Sequence, residues 1–176
     1  MTAEGPYVGL RAFETKDVGR FFGRQRMVSE LMARMRSTRF IGVLGMSGEG
    51  KSSLVRAGLI PALRAGYLDW NGATWDVTTM RPDVNPLERL AEALAKSAWG
   101  QSAKMAGRDA DFYYDELVDD PTALARLYRE QAPDSRARLL IVVDQFEELF
   151  TRAHTRDYDE AWDAELFVDA LIEATT

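Results

Sequence analysis

Gly45-Met46-Ser47-Gly48-Glu49-Gly50-Lys51-Ser52 fits the pattern G-x-x-x-x-G-K-[ST], and its flanks decide how the chain is read. Before it, Phe40-Ile41-Gly42-Val43-Leu44 is an apolar run of strand length; after it, Lys51 to Leu63 is mostly apolar and helix-capable. Strand, glycine-rich turn and helix in that order describe a phosphate-binding P-loop, here called Walker A over 45–52. The phosphates of a nucleotide carry several negative charges in little space. Glycines let successive backbone N–H groups turn inward without Cβ clashes, forming an anion nest at the positive end of a helix. Lys51 can then reach the β- and γ-phosphates, and the Ser52 hydroxyl can ligate Mg²⁺. The expected phosphate-binding set is Gly45, Met46, Ser47, Gly48, Glu49, Gly50, Lys51, Ser52 and Ser53. A glycine turn that merely happens to precede a helix does not account for the strand-like run before it.

The second half of such a site is a carboxylate at the end of a buried strand. Leu139-Leu140-Ile141-Val142-Val143 is a continuous, β-branched-rich run that predicts a strand covered on both faces, and Asp144 ends it. Ligands of α/β sheets bind at that edge, where a Walker B aspartate holds Mg²⁺ through water. Asp144 lies 93 positions after Lys51, room for two intervening βα units. Four apolar residues and an aspartate are a weak signal alone and a strong one beside a P-loop. Gln145-Phe146-Glu147-Glu148-Leu149-Phe150 follows, and either Glu147 or Glu148 can orient and deprotonate a water attacking the γ-phosphate. An acid favoured at a helix start would read the same, so periodicity does not choose between them.

Composition narrows the class. In 176 residues, 46% hydrophobic, there is one domain or a large piece of one, with enough apolar material for a core. Twenty-two Lys and Arg against 28 Asp and Glu give a net charge of −6, so no electrostatic footprint for nucleic acid is expected. The absence of cysteine removes disulfides, thiolate metal sites and cysteine nucleophiles, and the lone His154 sits in a polar stretch. With no apolar run near the length of a membrane span and no signal-peptide pattern, a cytoplasmic protein is expected.

Along the chain, Val28, Leu31, Met32 and Met35 repeat with helical spacing, and Pro61 is placed to kink or restart the helix after the P-loop. Residues 75–80 alternate like a strand. Asn85-Pro86 reads as an N-cap and first helical residue, ahead of a face made by Leu87, Leu90, Ala91, Leu94 and Ala98. Residues 99–119 show no clear period and read as loop or irregular pieces, a possible lid. Asp120-Pro121 opens a helix with Leu124, Leu127 and Tyr128 inward, and a last helix from about 160 carries Trp162, Leu166, Phe167, Ala170 and Leu171 on one side. Strands alternating with helices predict an α/β, three-layer α/β/α fold with a mostly parallel sheet, its three strands near 39–44, 75–80 and 138–143. A GTPase would show N-K-x-D and D-x-x-G, which are missing; a small-molecule kinase remains an alternative without a visible acceptor site.

At these residues the chain resembles the STAND class of signal-transduction ATPases, and within it the bacterial novel STAND NTPases. Gly5-Pro6-Tyr7-Val8-Gly9-Leu10-Arg11-Ala12-Phe13-Glu14 resembles the family's entry motif. Phe21-Phe22-Gly23-Arg24 is similar to its h-h-G-R motif beside adenine, which adds Phe22, Gly23 and Arg24 to the nucleotide set. Ser53-Leu54-Val55-Arg56-Ala57-Gly58-Leu59 follows its P-loop helix, Arg81-Pro82 with Asn85-Pro86-Leu87 its "RP…PL" segment, and 144–150 its Walker B. Glu49 departs from the pattern, where small residues are usual, and its side chain is expected to point outward because only backbone N–H groups need face the phosphates.

The resemblance implies an entry segment over 1–38 and an NTPase core over 39–176, binding ATP or ADP with Mg²⁺ as a switch that opens, oligomerises and resets by slow hydrolysis. Helical, winged-helix and sensor-repeat domains of a longer chain are the implied partners, together with further copies of the protein. No effector is expected before an entry motif so close to Met1. The alternative is a regulated binding scaffold that does not hydrolyse; Arg24, Arg56 and Arg81 are charge-stabilising candidates by position only. In the family's topology a strand after Walker B separates the P-loop and Walker B strands, and none is legible after Phe150. The chain is therefore expected to be the N-terminal part of a longer protein, binding nucleotide poorly and hydrolysing none by itself.

Overall fold

A computed structural model describes residues 12–67, 72–103, 107–131, 136–151 and 158–176. Most of the entry motif (5–11) and His154 lie outside these residues. Two compact units divide the chain, 1–73 and 74–176.

In the first unit a 3₁₀ turn over Thr15–Arg20 precedes helix α1, Gln25–Met35. Val28, Leu31 and Met35 form the buried stripe of α1, as the spacing predicts, with Met32 at its margin. The helix leaving the P-loop runs as α2 (Lys51–Ser53), a π-helical turn (Leu54–Leu59) and α3 (Ile60–Arg64). Leu54, Ala57, Leu59, Ile60 and Leu63 are its buried residues.

The π register has a local cause. Ile60 N–H donates to the Val55 carbonyl, five residues back. Pro61 has no N–H to continue the ladder. Thr15 Oγ donates instead to the Arg56 carbonyl at 3.2 Å, so the 3₁₀ turn completes the helix that Pro61 interrupts. The expected restart at Pro61 is therefore a change from π to α winding.

One expected strand is corrected here. Residues 40–45 form no strand; Phe40 is 62% and Leu44 94% exposed. The first unit offers no second strand among its described residues, and a strand without a neighbour leaves its backbone groups to solvent.

The second unit holds a two-stranded parallel sheet, β1 (Thr74–Met80) and β2 (Ala137–Val143), with Thr74 opposite Ala137 and Met80 opposite Val143. The crossover between them carries α4 (Pro86–Lys96), α5 (Ala98–Ala103), α6 (Ala110–Asp119) and α7 (Ala123–Gln131); α8 (Glu148–Thr151) and α9 (Tyr158–Ala174) follow β2. Leu87, Leu90, Leu94, Tyr113, Leu117, Leu124, Leu127 and Phe167 form a closed core. The architecture is thus mixed α/β, with fewer strands than the three-layer sheet expected. Leu139–Val143 are half-buried rather than enclosed on both faces, because β2 has a single partner strand among the described residues.

Between 99 and 119, residues 99–103 belong to α5 and 110–119 form α6, in place of the irregular structure expected there. Ser97 is extended (ψ 162°) and ends α4, which turns Ala98 outward, contrary to its expected place on the buried face. Asp109 then caps α6 by accepting the Phe112 N–H at 3.1 Å. On α9 the inward face is Asp163, Ala164, Phe167 and Ala170, with Trp162 exposed. Asp163 is buried because its Oδ2 accepts the Leu87 N–H at 2.9 Å, serving the N-terminus of α4 in place of the expected Asn85 cap. Asn85 donates its side-chain amide to Glu88 Oε2 instead, at 3.2 Å.

Candidate functional site

The P-loop residues take the shape that their types allow. Gly48 and Gly50 lie in the left-handed region (φ 83° and 81°), and Lys51 begins the helix directly after Gly50. Glycines in this conformation carry the loop into the N-terminal end of a helix running through three consecutive segments from Lys51 to Arg64. Lys51 Nζ lies back over the loop and donates to the carbonyls of Gly45 (2.8 Å) and Met46 (3.0 Å). Glu49 is exposed, and its carboxylate curls onto the loop itself, where Oε2 accepts the Met46 N–H at 2.8 Å.

The entry segment packs on the same helix. Ser53 Oγ, buried next to Ser52, accepts the Phe13 N–H at 3.0 Å. Arg56 Nη1 pairs with Glu14 Oε1 at 2.8 Å. The Phe13 and Phe21 rings are 5.9 Å apart. Gly58 admits this close approach: a Cβ there would meet Val28 Cγ2 at 2.6 Å and Phe21 Cε1 at 3.0 Å. Gly23, at φ 81°, turns the chain into α1 and brings Arg24 to the loop, its Nη2 3.8 Å from where a Cβ on Gly50 would lie. Phe22 is 75% exposed beside it. Of Phe22, Gly23 and Arg24, it is Arg24 that the structure brings to the loop; Phe22 and Gly23 precede it in the chain.

In the second unit Asp144 follows β2 and extends the ladder by donating its N–H to the Met80 carbonyl at 2.9 Å. Register therefore sets Asp144 beside Arg81, and Arg81 Nη2 lies 3.9 Å from Asp144 Oδ2. The sequence names Arg81 as a candidate without naming this neighbour; the signal was its position one residue beyond β1. Gln145 then takes φ 60°, unusual for a residue with a Cβ, and the chain turns sharply out of the sheet. Phe146, 6.4 Å from Phe167 between ring centroids, and buried Leu149 anchor the turn. Glu147 is exposed on it, whereas Glu148 is half-buried in the first turn of α8.

Taken separately, the first unit offers the Lys51 ammonium and hydroxyls of the kind a nucleotide's phosphates and magnesium take, and the second offers the Asp144 carboxylate. Magnesium is ordinarily held by one or two protein oxygens and the substrate's phosphates, not by an all-protein cage. No group of three or more His, Cys, Asp or Glu side chains able to hold a metal occurs among the described residues. No helix among them is long and apolar enough to cross a membrane.

The family model described as Novel STAND NTPase 1 matches residues 6–176. No curated protein and no solved structure matches the chain.

Proposed function

The chain belongs to the Novel STAND NTPase 1 family, and on that premise we propose that it is the ATP-binding module of a signalling switch. The observation carrying this reading is the loop itself. Two left-handed glycines lead into a helix whose first residue, Lys51, holds its ammonium over the loop. Residues 45–53 receive the phosphates through the amides that are not already donated inside the loop, as those of Met46 and Glu49 are. Lys51 exchanges its carbonyl partners for phosphate oxygens, and Arg24, beside Gly50, adds a second cation. Exposed Phe22 offers a flat apolar surface to adenine. Ser52, in the first unit, and Asp144, in the second, are the oxygen donors that would hold magnesium, which would supply positive charge against the phosphates. Arg81, 3.9 Å from the Asp144 carboxylate, is the cation beside that group. Glu147 or Glu148 positions the attacking water.

The reading also makes nucleotide state the control of conformation and of assembly with further copies or further domains. Magnesium dependence tests the assignment. ATP affinity of the full chain should rise with Mg²⁺, and Ser52→Ala and Asp144→Asn should each lose most of that gain while retaining metal-free binding. An undiminished magnesium effect in both variants contradicts the assignment. The non-hydrolysing scaffold is the second reading, and phosphate release separates the two: turnover lost in Glu147→Gln or Glu148→Gln identifies an ATPase and its base, whereas a nucleotide-dependent change in size without turnover identifies a scaffold.

A further inference from the structure

One peptide group in the loop is gripped from both sides. The Gly45 carbonyl accepts Lys51 Nζ at 2.8 Å, and the N–H of the same peptide, on Met46, donates to Glu49 Oε2 at 2.8 Å. The Met46 carbonyl is held as well, by Lys51 Nζ at 3.0 Å and by the Glu49 N–H at 3.3 Å. Glu49 and Lys51 therefore fix the orientation of residues 45–46 jointly.

The same arrangement explains a glycine. Gly45 is not among the glycines with positive φ, so a left-handed backbone does not reserve the position for glycine. A Cβ there would nevertheless overlap the Glu49 carboxylate, while the next atom outside Glu49, Lys51 Cδ, would lie at an ordinary 3.7 Å. Position 45 is closed by the carboxylate, not by backbone geometry.

We propose that Glu49 is a positioning residue that braces the P-loop: it orients the Gly45–Met46 peptide so that Lys51 and the loop amides are preset for a triphosphate. The proposal rests on the reading of residues 45–53 as that triphosphate's site. An acid in an anion-binding loop should weaken binding by charge alone. Held as a brace, it strengthens binding by sparing the loop the cost of ordering when the nucleotide arrives. The two effects have opposite signs, which makes the proposal testable.

Magnesium-ATP affinity is measured by calorimetry on the full chain and on Glu49→Gln, Glu49→Ala, Gly45→Ala and Glu49→Ala/Gly45→Ala. Hydrogen exchange of the Met46 amide is followed in the same proteins without nucleotide. Glutamine keeps the acceptor and loses the charge, so Glu49→Gln should bind at least as tightly as the parent. Glu49→Ala should bind about fivefold more weakly although it removes a negative charge, the scale of one exposed hydrogen bond. Gly45→Ala should weaken binding similarly in the parent and add nothing in the Glu49→Ala background, since nothing then fills the space. Met46 exchange should accelerate in Glu49→Ala and stay slow in Glu49→Gln. Tighter binding by Glu49→Ala, additive penalties, or unchanged Met46 exchange overturns the brace. If the parent binds no nucleotide, the ATP reading fails, and Met46 exchange still decides the brace.

Discussion

Thr15 donates its hydroxyl to the Arg56 carbonyl at 3.2 Å, five residues before Pro61 in a helix wound there with five-residue spacing. The hydroxyl stands where a backbone N–H would stand if residue 61 were not proline. Thr15→Val preserves shape and removes the donor. It should destabilise the first unit by about 1 kcal/mol, and Pro61→Ala should offset that loss in the double variant by restoring an N–H. Thermal unfolding of the two single variants and the double variant checks this; equal stability of Thr15→Val and the parent would remove the hydroxyl's role.

Gly58 sits under Val28 and Phe21. Alanine is favoured over glycine within a helix by about 1 kcal/mol, so on propensity alone Gly58→Ala would stabilise. The 2.6 Å approach to Val28 Cγ2 makes the opposite prediction. The new methyl should cost about 1–3 kcal/mol by overpacking and shift Phe21 and α1, moving Arg24 from the loop. A lower unfolding midpoint together with weaker ATP binding is the expected pair of results.

Asp163, from α9, accepts the Leu87 N–H at the start of α4, and both groups are buried. Asp163→Ala leaves that amide without its acceptor and should cost about 2–3 kcal/mol, seen as a lower denaturant midpoint with unchanged slope.

Burial raises the Tyr114 phenol above its ordinary value, and the charges of Asp163 and Glu88 push it further in the same direction. Burial likewise raises Tyr113. A phenol that ionises more readily in the unfolded chain favours unfolding at alkaline pH. Its contribution is complete below the usual tyrosine value of about 10 and is lost as pH climbs from there through the raised folded value. Stability should therefore fall steeply above pH ~10, and Tyr114→Phe should flatten that fall without altering stability near neutrality by as much as Asp163→Ala does.

Tyr113 is fully buried, and its hydroxyl has no hydrogen-bond partner among the described residues. Tyr113→Phe should therefore be neutral or stabilising, whereas Tyr113→Ala should cost about 3–5 kcal/mol through the cavity. Chemical denaturation of both variants checks the contrast.

What the sequence made legible was the part governed by local rules. The stripe of α1, the alternation of β1, the apolar run of β2 and the glycines of residues 45–50 each announce their conformation through side-chain spacing or backbone freedom. The apolar run at 40–44 satisfied the same rule and still formed no strand, because pairing is a property of the neighbour and not of the run. Trp99, Tyr113 and Leu117 are core residues spread over two short helices, α5 and α6, neither long enough to show a period. Asp163 interrupts the apolar spacing of α9 for the sake of an amide 76 positions away, a partner that only the fold supplies. At the candidate site the glycine turn into a helix at 45–52 and the carboxylate following β2 were both readable as local structure. The Arg81–Asp144 pair depended on strand register, and the Glu49 brace on the side chain's path, neither of which spacing encodes.

On the proposed reading, Lys51 is the cation that the loop directs at a triphosphate. Calorimetric titration of Mg-ATP into the full chain and into Lys51→Ala tests it. Removing a charged hydrogen-bond partner of this kind should weaken binding by at least about tenfold, roughly 1.4 kcal/mol or more, with the fold intact by circular dichroism. Equal ATP affinity in Lys51→Ala and the parent would contradict the assignment of residues 45–52 as the nucleotide's phosphate site.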